Sequence, residues 1–333
     1  MIALDLCAGA GGLSLGLSNA GFRVHGVEID ADACATHRAA VGPCDHASLW
    51  DWSPTGAADL VAGGIPCQSH SAAGKRAKGG RAGTGDDRGA LYRRFLEIAT
   101  LAQARAVLIE NVRGIRTSPS ASHGSALREI LAAIEAAGFR PAIHTLLNAA
   151  DYGVPQNRKR IFIVAFRDAV DASRFQWPSP THSRDGRLLG LSPWVTVREA
   201  LGIEGDRAEG LVDGATMNSP QGARMVRMDA PAPTVSGCSR ELIGALRIAG
   251  VYDRPATTID TTGQLSTAGY QSTNKAGAVR LSTAQMAALQ SFPPSYAWQG
   301  TATSIHRQVG NAVPPPLAEA VARSIFLALS PSH

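Results

Sequence analysis

The sequence predicts an α/β protein with a mostly parallel sheet, helices on both faces of that sheet, and a smaller irregular domain. Short apolar runs alternate with helical patterns through the first 170 residues, which is the order of elements in parallel α/β sheets. From about residue 172 to residue 278 the chain is instead rich in Pro, Gly, Ser and Thr. Helical spacing returns after residue 280, which indicates that the chain goes back to the first domain.

The strands and helices follow from the spacing of apolar residues. The predicted strands cover residues 2–6, 24–29, 59–62, 106–109, 144–147 and 160–166. The predicted helices cover residues 13–19, 125–137, 282–289 and 316–329. Gly21 and Gly138 follow two of these helices, where glycine commonly ends a helix.

These boundaries divide the chain into three parts. The first domain covers 1–171, the second covers 172–279, and a C-terminal segment at 280–333 returns to the first domain. Trp177, Trp194 and Ile259 give the second domain apolar side chains to pack. Their presence favours a folded domain over a disordered insert.

Composition excludes several classes of protein. Hydrophobic residues make up 44% of the 333 residues, no apolar run approaches the roughly 18 residues of a membrane span, and the N-terminus has no basic region typical of a signal peptide. The five cysteines are an odd number and none are spaced as CxxC, which argues against a zinc ribbon and a secreted disulfide scaffold. We therefore expect a soluble cytoplasmic protein without a metal site or a membrane partner.

One Gly-rich segment carries the charge of the whole chain. Between Cys67 and Arg94 there are seven positive and two negative residues, and their balance equals the net charge of +5. A basic, Gly-rich loop of this kind is a candidate clamp for a polyanion. The alternatives are a solvated loop and the arginine bias of a GC-rich genome.

A glycine turn follows the first predicted strand, at residues 4–12. Backbone N–H groups and a helix N-terminus at such a turn bind ligands. Gly9 and Gly11 match the first two places of the dinucleotide pattern GxGxxG, but Ser14 occupies the third. Glu28 and Asp30 follow the second strand, where a carboxylate takes ribose hydroxyls. The turn predicts an adenosine-containing cofactor without a pyrophosphate, with a purely structural turn as the alternative.

Three further positions suggest covalent chemistry. Cys67 follows a strand at the carboxyl edge of the sheet, which favours a nucleophile, although most cysteines are buried structural residues. Glu110 ends the fourth strand and points to the same edge, unless it only caps the next turn. Arg158 and Arg160 alternate at the start of a strand and so share a face; an edge charge run is the alternative.

Seven blocks together resemble a known family. In order they are DLCAGAGG at 5–12, VEID at 27–30, PCQ at 66–68, ENV at 110–112, QNRKR at 156–160, RLST with LQSFP at 280–283 and 289–293, and GNAVP at 310–314. The chain resembles a prokaryotic cytosine-5 DNA methyltransferase of the kind found in restriction-modification systems. The resemblance implies a Rossmann-like methyltransferase sheet at 1–171 and a target-recognition domain at 172–279.

The resemblance also implies catalytic roles. Cys67 is expected to add to carbon 6 of a cytosine flipped out of the duplex. Glu110 is expected to hold the base through ring nitrogen 3 and the exocyclic amine. Arg158 and Arg160 are expected near the base carbonyl and the nucleophile.

The implied cofactor is S-adenosylmethionine. Its expected ligands include Glu28 on the ribose, Asp45 on the adenine, and Asn311 and Val313 from the returning segment. The full expected set is Asp5, Cys7, Ala8, Gly9, Gly11, Gly12, Glu28, Ile29, Asp45, Pro66, Leu91, Asn311 and Val313. The implied partners are double-stranded DNA and a cognate restriction endonuclease, with the chain acting as a monomer on the nucleoid.

Some positions depart from the family pattern. Cys7 stands where Phe is usual, Ile65 where Pro is usual, and Gln285 where Glu is common; His70 lies in a segment that usually reads ProPheSer. Three other functions remain open. A tRNA cytosine methyltransferase would carry a CysPheThr segment, a nicotinamide oxidoreductase would carry the third glycine, and a non-catalytic DNA-binding protein would not need the Cys, Glu and Arg set.

Overall fold

The computed structural model describes residues 1–65, 91–118, 125–184, 186, 190–202, 231–233 and 282–331. The chain forms two compact units. Unit 1 comprises Met1–Leu147, Lys159–Ser179 and Leu317–His333, and unit 2 comprises Asn148–Arg158 and Pro180–Pro316. Most of the predicted second domain, at 172–279, lies outside the described residues.

The described strands agree with the apolar runs of the sequence. In chain order they are β1 (Ile2–Leu6), β2 (Arg23–Glu28), β3 (Cys44–His46), β4 (Leu60–Gly64), β5 (Ala106–Val112), β6 (Ile143–Asn148), β7 (Gln156–Asn157), β8 (Lys159–Phe166), β9 (His182–Ser183), β10 (Ser192–Pro193) and β11 (Ala232–Pro233). All six predicted strands are present, and β1 has the predicted bounds while the ends of the others differ by at most three residues. β3 was not predicted, since three residues are too few to show a period.

The described helices include four at predicted positions. In chain order they are α1 (Gly12–Asn19), α2 (Ala31–Ala40), α3 (Leu91–Leu101), α4 (Ala126–Ala136), α5 (Ala169–Arg174), α6 (Val197–Leu201), α7 (Thr283–Ala288), α8 (Ala302–Asn311) and α9 (Pro315–Leu329). The predicted helices correspond to α1, α4, α7 and α9. Among the described helices, no single one combines the length and the apolar composition of a membrane span.

Unit 1 is built on a seven-stranded sheet in the order β3-β2-β1-β4-β5-β8-β6. β1 pairs in parallel with β2 and with β4, and parallel pairing continues from β2 to β3 and from β4 to β5. β8 joins β5 antiparallel. The sheet is therefore mixed, and its parallel part brings the carboxyl ends of β1, β2, β4 and β5 to one edge.

The sheet of unit 1 has a buried apolar core. β8 contributes six consecutive apolar residues at 161–166, all of them buried. Runs without polar alternation are typical of strands covered on both faces. Helices α3 and α4 contribute buried side chains to the same core, with Phe95, Ile98 and Ile130 among them.

Helix α1 packs closely against helix α9 within unit 1. A Cβ on Gly16 would lie 2.5 Å from the Cβ of Ala318 and 2.6 Å from the backbone nitrogen of Glu319. Both distances are far below van der Waals contact, and one of the atoms belongs to the backbone. Only glycine fits between these helices.

We expect Gly16→Ala to destabilise the protein by about 1–3 kcal/mol, because the added methyl group must push two packed helices apart. Gly56→Ala is the matched control, since a Cβ at Gly56 meets nothing within 4 Å. Urea unfolding of both variants measures the difference. An equal shift in the two midpoints would contradict the close packing of α1 on α9.

Unit 2 contains short elements and an aromatic cluster. Two pairs of two-residue strands, β9 with β10 and β7 with β11, are parallel. Phe292, Tyr296 and Trp298 pack on one another with ring centroids 4.8–5.0 Å apart. The Trp194 indole donates to Oδ1 of Asp151 at 2.9 Å within unit 2.

Candidate active site

The glycine turn after β1 has a backbone that favours glycine. Gly9 and Gly11 have φ angles of 56° and 93°, in the left-handed region. Cys7 adopts φ 59° there as well, which is uncommon for a residue with a side chain. Gly11 precedes α1, which begins at Gly12, and supplies no side-chain cap to the first amides of the helix.

Glu28 connects the glycine turn to the start of α2. Its Oε2 accepts from the Gly9 amide at 2.8 Å and its Oε1 accepts from the Asp30 amide at 2.8 Å. This arrangement follows from topology, because Leu6 and Val27 are partners in the parallel β1–β2 pair and both strands end together. The next residue, Ile29, is 68% exposed, and a large apolar side chain is thus open beside the carboxylate.

Cys7 remains a neutral thiol in this environment. Burial raises its pKa, and the charge of Glu28 raises the pKa further. A thiol that does not ionise is a poor nucleophile. Cys7 therefore acts as a small apolar residue at the position where the family usually has Phe.

Asp45 lies on β3, one strand beyond Glu28. Its Oδ2 accepts from the Trp52 indole at 2.8 Å and lies 3.0 Å from Nε2 of His25. The Trp52 hydrogen bond, and next the His25 contact, hold the pKa of this carboxyl below its usual range. Asp45 is thus an ionised acceptor, and its expected contact with adenine stays a prediction.

Glu110 and Arg160 form an ion pair at the carboxyl edge of the sheet. Glu110 is the fifth residue of β5, and its Oε1 lies 3.0 Å from Nε of Arg160 on the neighbouring β8. In the antiparallel register Arg160 stands opposite Val112, so the two charged side chains lie diagonally across the strand pair. Burial lowers the pKa of the Arg160 guanidinium and Glu110 opposes that shift.

Asn111 holds the backbone that leads to the predicted nucleophile. Its Nδ2 donates to the carbonyl of Ile65 at 3.2 Å, and its Oδ1 accepts from the Val112 amide at 2.8 Å. Ile65 directly follows β4 and precedes Pro66 and Cys67 in the chain. Asn111 is the middle residue of the ENV block, and no role was predicted for it from the sequence.

Arg158 belongs to unit 2 and has different partners from Arg160. It is only 1% exposed, and its Nη2 donates to the carbonyl of Gly310 at 3.1 Å. Arg158 lies between β7 and β8 rather than on a strand, so the prediction that both arginines share a strand face was wrong. Its bond to Gly310 fixes the start of the block that contains Asn311 and Val313.

Part of the predicted site lies outside the described residues. Pro66, Cys67 and His70 are in this part, as is the basic loop through residue 90. Leu91 is the first residue of α3. Arg94, at the end of the basic segment, donates to the carbonyls of Leu49 and Trp52. Arg94 is therefore bonded to the protein's own backbone, while the predicted phosphate clamp through residue 90 lies outside the described residues.

Gln285 provides a reason for one departure from the family pattern. Gln285 stands at the third position of α7. Its side-chain Oε1 accepts from the backbone amide of Ser282 at 2.9 Å, and its backbone amide donates to the Ser282 hydroxyl at 3.2 Å. Gln and Glu serve equally in such a capping box. The replacement therefore leaves the start of this helix intact. Within the described residues no group of His, Cys, Asp or Glu is arranged to hold a metal ion.

Comparisons with known proteins identify relatives of this chain. The chain is 32% identical to the Type II methyltransferase M.NgoMIV of Neisseria gonorrhoeae over 335 residues, which cover 98% of this chain and 97% of that protein. It is 31% identical to the Type II methyltransferase M1.HphI of Haemophilus parahaemolyticus, over 97% and 86% of the two chains. A crystal structure of the S. pombe Dnmt2 methyltransferase shares the fold, with a TM-score of 0.62, 18% identity and coverage of 99% and 98%.

The family assignment extends over almost the whole sequence. Residues 1–327 match the family described as C-5 cytosine-specific DNA methylase. The match includes the glycine turn with Glu28, the Glu110–Arg160 pair and the segment that carries Arg158. The chain belongs to the C-5 cytosine-specific DNA methylase family and is a DNA (cytosine-5-)-methyltransferase.

Proposed function

We propose that this enzyme transfers the methyl group of S-adenosylmethionine to carbon 5 of a cytosine flipped out of a specific duplex DNA sequence, through a covalent adduct with Cys67. The observation that carries the proposal is the buried Glu110–Arg160 ion pair, 3.0 Å between Nε and Oε1. Asn111 lies next to it and holds the residue that leads into Pro66 and Cys67. The carboxylate and the guanidinium thus lie at the edge of the sheet where β4 ends, and Cys67 follows Ile65 by two residues in the sequence.

The residues around the glycine turn fit S-adenosylmethionine. Asp5 is fully buried below the turn, and its Oδ1 has no hydrogen-bond partner among the described residues. The space above Gly9 is open, because a Cβ there would meet nothing within 4 Å. Each oxygen of Glu28 accepts one backbone bond and keeps a lone pair for a hydroxyl. A positively charged group suits the carboxyl of Asp5, and ribose hydroxyls suit the two oxygens of Glu28.

The chain's own residues then do the chemistry on the base. The Cys67 thiolate adds to carbon 6, and Glu110 binds ring nitrogen 3, which makes carbon 5 nucleophilic. Bound S-adenosylmethionine would supply an electrophilic methyl group, which carbon 5 takes as the bond between the methyl carbon and sulfur breaks and S-adenosylhomocysteine leaves. A base removes the carbon-5 proton, and the thiolate leaves. Arg160 keeps the Glu110 carboxyl in place at the sheet edge before the base enters.

The second domain and the partners complete the proposal. Residues 172–279 would read the target in the major groove. The Type II names of both relatives support a restriction-modification role with a cognate endonuclease, and the chain would act as a monomer on DNA in the cytoplasm. The remaining expected cofactor ligands, Asn311 and Val313 included, keep the roles that the resemblance implies.

A label-transfer assay tests the proposed substrate. The purified enzyme is incubated with labelled S-adenosylmethionine and duplex DNA, single-stranded DNA or tRNA. We expect label in duplex DNA as 5-methylcytosine, and bisulfite sequencing of a host genome expressing the chain should show one methylated sequence. Label in tRNA alone would contradict the DNA substrate and favour the tRNA cytosine methyltransferase.

The basic loop is expected to bind phosphates without reading sequence. Replacing Lys75, Arg76, Lys78 and Arg81 together by Ala should weaken binding to all duplexes alike. The slope of log affinity against log salt should flatten by roughly 0.9 for each phosphate that the variant no longer neutralises. A salt titration and genome-wide methylation mapping provide the measurements. An unchanged slope would indicate a solvated loop, and a changed methylation sequence would place base recognition on the loop.

A further inference from the structure

Three buried side chains form a continuous hydrogen-bond chain below the glycine turn. Oδ2 of Asp5 lies 2.6 Å from Oγ of Ser14, and that oxygen lies 2.8 Å from Nε2 of His37. All three residues are 0% exposed. They come from β1, α1 and α2, and Gly26 leaves room for the ring, since a Cβ there would lie 2.7 Å from Nε2 of His37.

The hydrogen bond of Nδ1 of His37 limits the protonation states that Asp5, Ser14 and His37 can adopt together. Nδ1 of His37 lies 3.1 Å from the carbonyl of Gly42, and a carbonyl only accepts, so Nδ1 carries a proton. If the ring is neutral, Nε2 must accept from the Ser14 hydroxyl. The Ser14 oxygen can then bond Asp5 only by accepting, which requires a protonated Asp5 carboxyl. If Asp5 is ionised instead, Ser14 donates to it and His37 must be an imidazolium.

Both arrangements contain the same number of protons. The two hydrogen bonds are therefore compatible with a neutral Asp5 and a neutral His37, or with a charged pair, and the two forms differ by one proton moved through Ser14. In this shift the Asp5 O–H bond breaks as a Ser14 O–H bond forms, and the original Ser14 proton passes to Nε2 of His37. No proton is exchanged with water.

In the protein without ligand, the surroundings favour the arrangement in which Asp5 and His37 are both neutral. Burial raises the pKa of Asp5 to about 7, the Ser14 hydrogen bonds oppose this shift, and the charges of Glu28 and Glu110 add to it. Burial also lowers the pKa of His37, the Gly42 carbonyl opposes that, and His25 and Arg38 lower it further. The thiols nearby, Cys7 and Cys44, have raised pKa values and carry no charge.

We propose that Asp5, Ser14 and His37 share one proton, which lies on Asp5 in the free enzyme and moves to His37 when a positively charged cofactor binds at the glycine turn. The inference rests on the proposed use of S-adenosylmethionine, whose ammonium and sulfonium would favour an ionised Asp5 by Coulomb attraction. The unpartnered Oδ1 of Asp5 provides the acceptor for that charge. His37 is thus a positioning residue that stores the displaced proton.

Nitrogen NMR of the histidine rings tests this directly. In the free protein at pH 6 we expect His37 to be neutral, with its proton on Nδ1. Saturating S-adenosylmethionine should convert His37 to the imidazolium in the wild type and leave it neutral in Asp5→Asn, because the Asn amide mimics a protonated Asp5. A charged His37 in the free protein, or a neutral one in the saturated wild type, would overturn the proposal.

A proton count by calorimetry gives a second readout. Titration at pH 6 in buffers of different ionisation enthalpy should show no proton released from this chain in the wild type. Ser14→Ala breaks the relay, so close to one proton should be released per cofactor bound. Ser18→Ala, at an exposed position of the same helix, should behave like the wild type.

A failure of S-adenosylmethionine to bind is distinguishable from a failure of the proton relay. No binding heat for S-adenosylmethionine would contradict the proposed function, while the ring tautomer of His37 in the free protein would still decide whether the proton lies on Asp5. Equal proton release from the wild type and Ser14→Ala would contradict the proton relay through Ser14 and leave the proposed cofactor unaffected. If Ser14→Ala fails to fold, Asp5→Asn preserves the side-chain volume and still tests the proposal through the histidine NMR signal.

Discussion

Changing Cys67 to Ala or Ser is expected to abolish methyl transfer while binding to duplex DNA survives. No other side chain in the proposed mechanism makes the covalent adduct, whereas DNA binding depends on phosphate and groove contacts. Single-turnover methylation and a gel-shift titration give the two measurements. Cys34→Ser is the control, since Cys34 lies on α2 outside the proposed catalytic set, and it should keep normal turnover. Near-normal turnover by Cys67→Ala would contradict the proposed covalent mechanism.

Covalent trapping makes the same prediction independently of rate. Duplex DNA with 5-fluorocytosine at the target loses no fluorine in the elimination step, so the adduct should accumulate. The wild-type protein should give a stable covalent complex in a denaturing gel, and the Cys67 variants should give none. A complex formed by Cys67→Ala would assign the nucleophile to another residue.

Glu110→Gln is expected to lose most of the rate and to keep the affinity for S-adenosylmethionine within a few-fold. Proton donation or a strong hydrogen bond at ring nitrogen 3 is typically worth about 10²–10⁴-fold in rate. Glutamine preserves the volume of the side chain but neither carries a transferable proton nor balances the charge of Arg160. Saturating kinetics and equilibrium cofactor binding separate the two effects.

Glu129→Gln controls for the loss of a buried carboxylate. Glu129 lies on α4, is buried, and accepts from the Tyr92 hydroxyl at 2.6 Å. Its replacement should lower stability and leave the rate at saturation unchanged. If Glu110→Gln instead lost cofactor binding and kept its saturated rate, Glu110 would belong to the cofactor pocket.

Local patterns predicted most of the sheet and missed elements that lack a pattern. The strands with continuous apolar runs, such as β8, were predicted because burial on both faces demands such a sequence. Helix α2 was missed since its sequence, ADACATHRAA, has no clear apolar stripe. Helix α3 was missed because Arg93 and Arg94 were counted with the basic loop, although Tyr92, Phe95 and Ile98 place an apolar face on the core.

The sequence by itself determined the family, the order of its blocks and the residue types at the site. Only the tertiary structure decided which side chains meet. Arg160 pairs with Glu110 through the register of β5 and β8, while Arg158, which lies between two strands, bonds the Gly310 carbonyl of α8. Spacing along the chain does not set either distance. His37 reaches Ser14 and Asp5 through helix packing across 32 residues of sequence. A hydrogen bond depends on distances of a few tenths of an ångström, and these arise only when separate elements pack together.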